Sequence, residues 1–410
     1  MEKLIFDFIE GRRSLAVELE VGLTKRPALS PDSGGEGEWD KAEFLQDWLT
    51  AQGFPGLERF DAPDTRAKHG ARPNLVATLP GSRPDAPRLW VISHLDVVPP
   101  GDAGLWHTDP WTLVEVDGKV FGRGVEDNQQ GLTASVLAAL ALLKLGLKPH
   151  RTVKLLFAAD EECGSVYGID WLLKNTNLFS AGDEALIPDS GASDGLEIEV
   201  AEKNMLWLRV RTQGKQAHAS MPELGINAHL AAADFAVALH EGLLQTFNAH
   251  NPMFTPPCST FEPTKREPNV PNVNTIPAED VFYMDMRVLP CYTNDEVFAE
   301  VEKIRGQIEK KHRVSIEISA AQSHESKETP ADAPLVHALS RHIAAVYGAQ
   351  PHPVGIGGGT VGAFLRNAGM DAVVWSRLDD MAHQPNEYAV VNNILGDAKI
   401  MALLMLDEYS

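Results

Sequence analysis

Apolar residues in the first 190 positions form short continuous runs, separated by longer stretches with helical spacing. Runs of this length, bounded by turn residues, are typical of strands buried on both faces of a sheet. The strands predicted in this way are 74–79, 88–97 and 152–159. The helices predicted from spacing are 3–24, 40–53, 128–146 and 165–174. Alternation of strand and helix predicts an α/β fold, a mainly parallel sheet flanked by helices.

The pattern changes near residue 200. Within residues 205–212, apolar side chains alternate with polar or aromatic ones, which predicts a half-exposed strand. The alternating residues are Leu206, Leu208 and Val210 against Trp207, Arg209 and Arg211. Further predicted helices and strands follow, interrupted by a Pro/Asn-rich stretch at 251–277. The α/β pattern returns after Ala331. We therefore predict a catalytic α/β domain built from residues 1–200 and 321–410. A smaller α+β domain, residues 201–320, is inserted between them.

Composition narrows the functional class. The chain has 410 residues, of which 44% are hydrophobic and 23% charged, as in ordinary soluble enzymes. A net charge of −21 argues against a nucleic-acid surface, which needs a basic face. No apolar run approaches the roughly 18 residues that a membrane helix needs, so we expect no membrane partner. Three dispersed cysteines and the lack of a recognisable signal peptide lead us to expect a cytoplasmic protein.

The first candidate site is at the end of the strand predicted over 88–97, where His94 and Asp96 follow a buried apolar run. Residues two apart on an extended chain point to the same side. Charged or imidazole groups in such a run are costly unless they are paired or bind a metal. A metal ligand with a supporting carboxylate fits this pattern, and so does a hydrogen-bonded histidine at the end of a structural strand.

Four further clusters also follow or precede predicted elements. Asp127 precedes the strongest helix and could be an ordinary N-cap, and the three acids 160–162 could be a solvated loop. Asp189 could belong to a turn, and His383 lies in a polar stretch near the C-terminus. In open α/β sheets the carboxyl ends of several strands converge on one site. Two histidines and four or five carboxylates then form a mixed nitrogen and oxygen set suited to zinc.

The order of these motifs resembles metallopeptidase family twenty. The motifs are His-x-Asp, Gly-Arg-Gly-x-x-Asp, Glu-Glu, Asp-Ser-Gly and His-x-Pro-Asn-Glu, and the resemblance covers about residues 70 to 400. Family members include succinyl-diaminopimelate desuccinylase, acetylornithine deacetylase, aminoacylase, dipeptidases and carboxypeptidases. The resemblance implies a metal-dependent hydrolase of amide bonds, with an inserted lid domain that often dimerises.

The family's site residues are carried over position by position. The resemblance implies two Zn²⁺ per chain, with Co²⁺ or Mn²⁺ as possible substitutes. The implied ligands are His94, Asp127 and Asp189 for one ion, and Asp127, Glu162 and His383 for the other. Glu161 would be the general base, and Asp96 would orient His94 from behind. His218, in the motif Gly-Lys-Gln-Ala-His-Ala-Ser, would reach the active site of the partner subunit in a homodimer and support the developing oxyanion.

The resemblance also implies a small-molecule substrate with a free carboxylate. Its contacts would be Asn272, Arg287, Gly358, Gly359 and Thr360. The glycine-rich stretch lacks the lysine of a P-loop and the Rossmann spacing, which argues against a phosphate site.

We expect an N-acyl amino acid as the substrate, with succinyl-diaminopimelate as the first candidate and a dipeptide as the second. The desuccinylase and acetylornithine branches usually have Glu at the position of Asp189. Asp at this position is commoner among the aminopeptidase and dipeptidase members, and a carboxypeptidase of the same family is a further alternative. A remote alternative is a non-catalytic relative that uses metal to bind a ligand, although the presence of Glu161 argues against it.

Overall fold

The computed structural model describes residues 1–408, which form two compact units. The larger unit comprises Met1–Val200, Thr329–Pro353 and the segment from Phe364 onward. The smaller unit comprises Ala201–Glu328 and Val354–Ala363. Residues 321–328 and 354–363, which we predicted to belong with the catalytic part, therefore pack within the smaller unit. The proposed role of the smaller unit as a lid stays a prediction.

Helices account for much of both units. In chain order they are α1 (Glu2–Glu10), α2 (Arg13–Thr24), α3 (Trp39–Gln52), α4 (Gly131–Leu145), α5 (Ile169–Asn175), α6 (Ala228–Thr246), α7 (Asn294–His312), α8 (Pro334–Tyr347), α9 (Val361–Asn367) and α10 (Val391–Leu406). The helix predicted over 3–24 is two helices, because Arg12 leaves the helical region with φ −112° and ψ 14°. None of the helices within residues 1–408 is long and apolar enough to cross a bilayer.

The strands before the smaller unit are β1 (Leu57–Pro63), β2 (Ala71–Leu79), β3 (Leu89–His94), β4 (Val114–Val116), β5 (Lys119–Phe121), β6 (Val153–Ala158), β7 (Glu184–Ala192) and β8 (Glu197–Glu202). Those that follow are β9 (Asn204–Gln213), β10 (Ala217–His218), β11 (Thr260–Arg266), β12 (Thr275–Ile276), β13 (Glu279–Val288), β14 (Ser315–His324), β15 (His352–Ile356), β16 (Asp371–Arg377) and β17 (Tyr388–Val390).

The main sheet has eight strands in the order β1-β2-β6-β3-β7-β16-β8-β15. Its central strands β6, β3, β7 and β16 are mutually parallel, while β1, β2 and β8 pair in antiparallel fashion. Every residue of β3 is buried, as its continuous apolar run predicted. The predicted α/β class with a mainly parallel sheet flanked by helices is confirmed, and antiparallel strands extend this parallel centre.

Helix α4 is mostly buried and directly follows the turn that carries Asp127. Its first twelve residues, through Leu142, are all buried, and it packs against α10. It ends at Gly146, whose φ of 68° is readily adopted by glycine. A π-helical turn, Val125–Gln130, precedes it, and within this turn Asp127 has φ −111° and ψ 93°. Asp127 is therefore not an N-cap of α4, whose N-cap residue is Gln130.

The smaller unit contains a four-stranded antiparallel sheet in the order β11-β13-β9-β14. The apolar residues of the alternating strand β9 pack against α6 and α7, which confirms the half-exposed strand predicted there. Helix α7 begins with a capping box in which Thr293 and Glu296 bond to each other's backbone N–H groups.

Candidate metal centre

The candidate ligands lie at one edge of the main sheet. His94 ends β3, Glu161 and Glu162 follow β6, and Asp189 lies in the second half of β7. These three strands are parallel neighbours, so their carboxyl ends meet at this edge. Asp127 comes from the π-helical turn before α4, and His383 comes from the loop between β16 and β17.

The structure brings the five predicted ligands together around Asp127. One carboxylate oxygen of Asp127 lies 2.9 Å from His94 Nε2, and the other lies 3.2 Å from His383 Nε2. His94 Nε2 is also 3.3 Å from Asp189 Oδ1, and His383 Nε2 is 3.1 Å from Glu162 Oε2. Asp127 thus stands between two imidazoles, each with a further carboxylate beside it.

Glu161 joins the same cluster. Ligand atoms of His94, Glu161 and Asp189 all lie within 4.8 Å of one another, as do those of His94, Asp127 and Glu162. Glu161 is therefore close enough either to bind a metal or to act on a water beside it. Its role is stated below as a proposal.

The electrostatics of the cluster show why a cation fits it. Burial opposes a charge on His94, but Asp189, Asp127 and Asp96 raise the pKa of its imidazole well above the usual value. Hydrogen bonds to Asp127 and Glu162 raise the pKa of His383 to about 10. Burial and then Asp189 raise the pKa of Glu161 well above its usual range. The crowded carboxylates thus draw protons onto the imidazoles, and divalent cations would displace those protons and compensate the carboxylates with a larger positive charge.

Asp96 has a different contact from the predicted one. His94 Nδ1 lies 3.0 Å from the main-chain oxygen of Asp96 and 3.6 Å from its carboxylate. The carboxylate oxygens instead accept hydrogen bonds from the backbone N–H groups of Glu161 and Glu162, each at 3.0 Å. Asp96 therefore fixes the acidic loop with its side chain and the imidazole with its backbone.

Asn128 is a site residue that sequence reasoning missed. Its side-chain oxygen accepts a hydrogen bond from the N–H of His94 at 3.3 Å, and its Nδ2 donates to Pro188 O at 2.7 Å and to Asp189. This amide joins the backbones that carry His94 and Asp189. Its position directly after Asp127 was the available signal.

The run of three acids divides between two environments. Asp160 turns away from the cluster and pairs with the buried guanidinium of Arg72 at 3.2 Å. Glu38, also fully buried, pairs with Arg72 and accepts the N–H of Asp160 at 3.2 Å. Arg72 supplies the compensating cation that the run requires, and Asp160 anchors the loop on which Glu161 and Glu162 stand.

The residues predicted to contact the substrate form two groups within the smaller unit. His218 is exposed and pairs in register with Thr275, which accepts a hydrogen bond from Asn272 Nδ2 at 2.7 Å. Arg287 donates to Asp285 at 2.8 Å and to the main-chain oxygen of Gly357 at 2.9 Å.

The glycine-rich turn that holds Gly358 and Gly359 follows Gly357 directly. At its end Thr360 donates twice to Glu202, through its N–H at 3.0 Å and its hydroxyl at 2.8 Å. Arg287 and this turn are therefore brought together, and Glu202 is a buried partner that the sequence did not indicate.

A cluster of this composition at the carboxyl edge of a parallel sheet is typical of a metal-dependent enzyme. The sequence profile of Peptidase family M20/M25/M40 matches residues 90–407. The chain belongs to this family of metal-dependent hydrolases, which act on amide bonds. This confirms the predicted family and enzyme class.

Relatives place the chain within the family. It is 36% identical over 403 residues to an uncharacterised metallohydrolase of Methanococcus maripaludis, covering 94% of this chain and 97% of that protein. It is 26% identical over 376 residues to succinyl-diaminopimelate desuccinylase of Coxiella burnetii, covering 89% of this chain and 91% of that enzyme.

Solved structures share the fold. Aminopeptidase PepT from Bacillus cereus superposes with a TM-score of 0.77 at 19% identity, over 96% of this chain and 98% of that one. A dinuclear metal-binding peptidase of family M20 from Bacillus subtilis superposes with a TM-score of 0.64 at 16% identity, over 97% and 98% of the two chains.

Proposed function

We propose that the protein is a dinuclear zinc amidohydrolase that cleaves a small N-acyl amino acid with a free carboxylate. The observation that carries this proposal is the position of Asp127 between His94 and His383, each 3.2 Å or less from one of its oxygens. A carboxylate held between two imidazoles is suited to bridge two cations. Mixed imidazole and carboxylate donors favour zinc, and they also accept Co²⁺ or Mn²⁺.

Each ion would take three protein groups. His94 and Asp189 would complete one position with Asp127, and Glu162 and His383 would complete the other. Two bound ions would polarise the scissile carbonyl and lower the pKa of a nearby water.

Glu161 would take the proton of that water and later give it to the leaving amine. Burial and the neighbouring Asp189 raise the pKa of Glu161 in the metal-free protein, and bound cations would lower it. Asp96 holds the N–H of Glu161 at 3.0 Å, which keeps the base in position. Retention of a base beside the ligands argues against a protein that only binds its ligand.

We also propose that two copies of the chain form a homodimer through the smaller unit. Helix α6 exposes Leu230, Val237 and Leu244 at seven-residue spacing, with 57%, 56% and 38% of each residue accessible. Such an apolar stripe on one helix face is suited to pack against a second copy. His218 would then support the oxyanion in the partner's active site.

Arg287 and the turn Gly358–Thr360 would bind the substrate carboxylate. Arg287 is paired with Asp285, so a substrate would use the guanidinium donors that this ion pair leaves available. Asn272, near His218 in the smaller unit, would add a polar contact.

The 26% identity to a desuccinylase supports succinyl-diaminopimelate as the first candidate substrate. Asp189, where the desuccinylases usually have Glu, favours a dipeptidase, aminopeptidase or carboxypeptidase activity as the second. We expect the reaction to take place in the cytoplasm.

A substrate panel tests the proposal. Zinc-loaded enzyme is incubated with N-succinyl and N-acetyl amino acids, including succinyl-diaminopimelate, and with dipeptides, and the released amine is measured. We expect hydrolysis of at least one carboxylate-bearing class and a loss of rate when the carboxylate is amidated. Equal rates on amidated substrates would contradict the role of Arg287. Hydrolysis of dipeptides alone would select the second candidate.

A further inference from the structure

Two buried carboxylates lie beside the proposed ligands without belonging to them. Glu126 directly precedes Asp127, and Glu387 follows His383 by four residues. They are 4% and 0% exposed, respectively. Burying a carboxylate is costly unless hydrogen bonds compensate for the lost water, so the partners of each carboxylate indicate what it does.

Glu387 binds the loop that carries Asp127. One oxygen accepts hydrogen bonds from Arg123 Nη1 at 2.7 Å and from the N–H of Gly124 at 2.9 Å. The other accepts the N–H groups of Glu126 at 2.9 Å and of Asp127 at 3.2 Å. Four donors of one short loop thus converge on this carboxylate, and one of them is the backbone of the proposed bridging ligand itself.

Glu126 binds the loop that carries His383. Its two oxygens accept hydrogen bonds from the N–H of Asp379, at 2.8 Å, and from the N–H of Met381. His383 and Asp380 both have positive φ, 63° and 60°, a region that non-glycine residues adopt at a cost. Hydrogen bonds from outside the loop are therefore needed to hold this conformation.

The two contacts are reciprocal. The Asp127 loop supplies the carboxylate that holds the His383 loop, and the segment after His383 supplies the carboxylate that holds the Asp127 loop. The residues so joined are more than 250 positions apart in the chain. A change at either carboxylate therefore alters the position of one ligand relative to the other.

Buried carboxylates that bind backbone N–H groups also occur where no ligand is near. Asp183, at the opposite edge of the main sheet, accepts the N–H groups of Arg88 at 3.0 Å and Ser180 at 3.1 Å, and the indole N–H of Trp90 at 3.0 Å. These hydrogen bonds hold the chain at a place where none of the proposed ligands lies. Asp183 is therefore a matched control for the two carboxylates at the metal centre.

We propose that Glu126 and Glu387 form a reciprocal brace that sets the distance between Asp127 and His383. Through that distance, the brace determines the affinity of the metal position that these two residues share with Glu162. Both are positioning residues, because their carboxylate oxygens accept hydrogen bonds from backbone N–H groups and Arg123. The inference rests on the proposed dinuclear function.

Metal binding by the variants Glu126→Gln, Glu387→Gln and Asp183→Asn tests this proposal without any substrate. Each protein is stripped of metal and titrated with Co²⁺ by equilibrium dialysis, and its visible absorption and its thermal unfolding are recorded. The amide keeps the size of the side chain but replaces one acceptor with a donor that faces backbone N–H groups. We expect the affinity for the ion held by Asp127, Glu162 and His383 to fall roughly 10- to 100-fold in both Glu variants, the range found for residues that orient ligands.

The absorption spectrum identifies which position is affected. In the two Glu variants, the bands that disappear at low Co²⁺ should be those that His383→Ala also removes. The double variant should lose little more affinity than the more impaired single variant, because either change releases the same pair of loops. Asp183→Asn should lower thermal stability and leave both Co²⁺ affinities within about twofold of wild type.

Any of three results would contradict the proposed brace. The first is a Glu126→Gln variant whose two Co²⁺ affinities stay within about twofold of wild type. The second is an equal loss of affinity in Asp183→Asn, and the third is a double variant in which the losses of the two single variants multiply. If Glu387→Gln does not fold, Glu126→Gln, which disturbs two hydrogen bonds, carries the test. A wild-type protein that binds fewer than two ions would refute the dinuclear function itself, a result distinct from unchanged variants.

Discussion

The adjacent acids Glu161 and Glu162 offer the sharpest test of the proposed mechanism. Their backbone N–H groups are both held by Asp96, so substitution of either side chain leaves the same anchor in place. The side chains then diverge. Glu162 reaches His383 at 3.1 Å, while Glu161 lies near His94 and Asp189.

Glu161→Gln keeps the size and shape of the side chain but cannot take up a proton at neutral pH. Because the five proposed ligands are unchanged, we expect both ions to stay bound and the substrate still to bind. Turnover should fall by about 100-fold or more, the scale of a lost general base. A 100-fold loss corresponds to ~2.7 kcal/mol in the activation free energy.

Glu162→Gln should act through the metal. The change removes a charged donor beside His383, so the position shared by Asp127 and His383 should lose occupancy, and activity should fall with it. His383 should also titrate at a lower pH in the metal-free variant, because the hydrogen bond to Glu162 helps to raise its pKa to about 10. NMR of the imidazole protons in metal-free protein measures this shift.

The assay combines zinc content after dialysis with the turnover number of each variant at saturating zinc. Asp183→Asn serves as the control for a buried carboxylate remote from the ligands. If Glu161→Gln loses zinc while Glu162→Gln retains it, the two roles are assigned the wrong way round. If Glu161→Gln loses no more than about tenfold in turnover, the proposed base is wrong.

Three further predictions concern metal content, the dimer and pH. The folded protein should bind two divalent ions per chain and lose all activity with a chelator; full activity in protein without stoichiometric zinc, cobalt or manganese would refute this. If the chain is a dimer, His218→Ala and Glu161→Ala should each be nearly inactive yet regain activity in mixed dimers, where one site combines an intact Glu161 with the partner's His218. No recovery in mixed dimers shown to have formed would argue against a role across subunits. Burial raises the pKa of Glu20 from 4.5 to about 8, so the folded state binds its proton more tightly than the unfolded state does. The stability from this proton is complete below about pH 4.5 and is lost as the pH rises to about 8. The free energy of unfolding of Glu20→Gln, measured with urea, should therefore rise relative to that of wild type between pH 5 and pH 8. The same difference between the two proteins at both pH values would contradict the raised pKa of Glu20.

The sequence predicted the parts of the site that are local to a strand end. His94 and Asp96 follow a continuous apolar run, and Glu161 and Glu162 follow another, so periodicity alone located both at the edge of the sheet. These residues lie close together because their strands are parallel, an arrangement that the alternation of strand and helix predicts. His383 was already a candidate from its polar stretch, which has no periodic signal, and the family resemblance added its role as a ligand.

What the sequence did not predict depends on partners distant in the chain. Arg72 and Glu38 are 34 positions apart, and Glu387 is 260 positions from the N–H of Asp127. No local pattern marks such pairs, because their effect appears only when the loops fold against each other. The grouping of residues 354–363 with the smaller unit was not predicted either, because this glycine-rich stretch carries little periodicity.

Asp160 shows how a buried cation can separate the roles of adjacent acids. Side by side, three carboxylates would each raise the pKa of the others and compete for the same cation. Arg72 lies 3.2 Å from Asp160 and is itself fully buried, and it compensates in part the charges of both Asp160 and Glu38. Asp160 also adopts a positive φ of 64°, and its side chain binds Arg72 and the N–H of Tyr167, the latter at 3.1 Å. Glu161 and Glu162 are then left to face His94 and His383, and this division follows from Arg72 rather than from the acidic run itself.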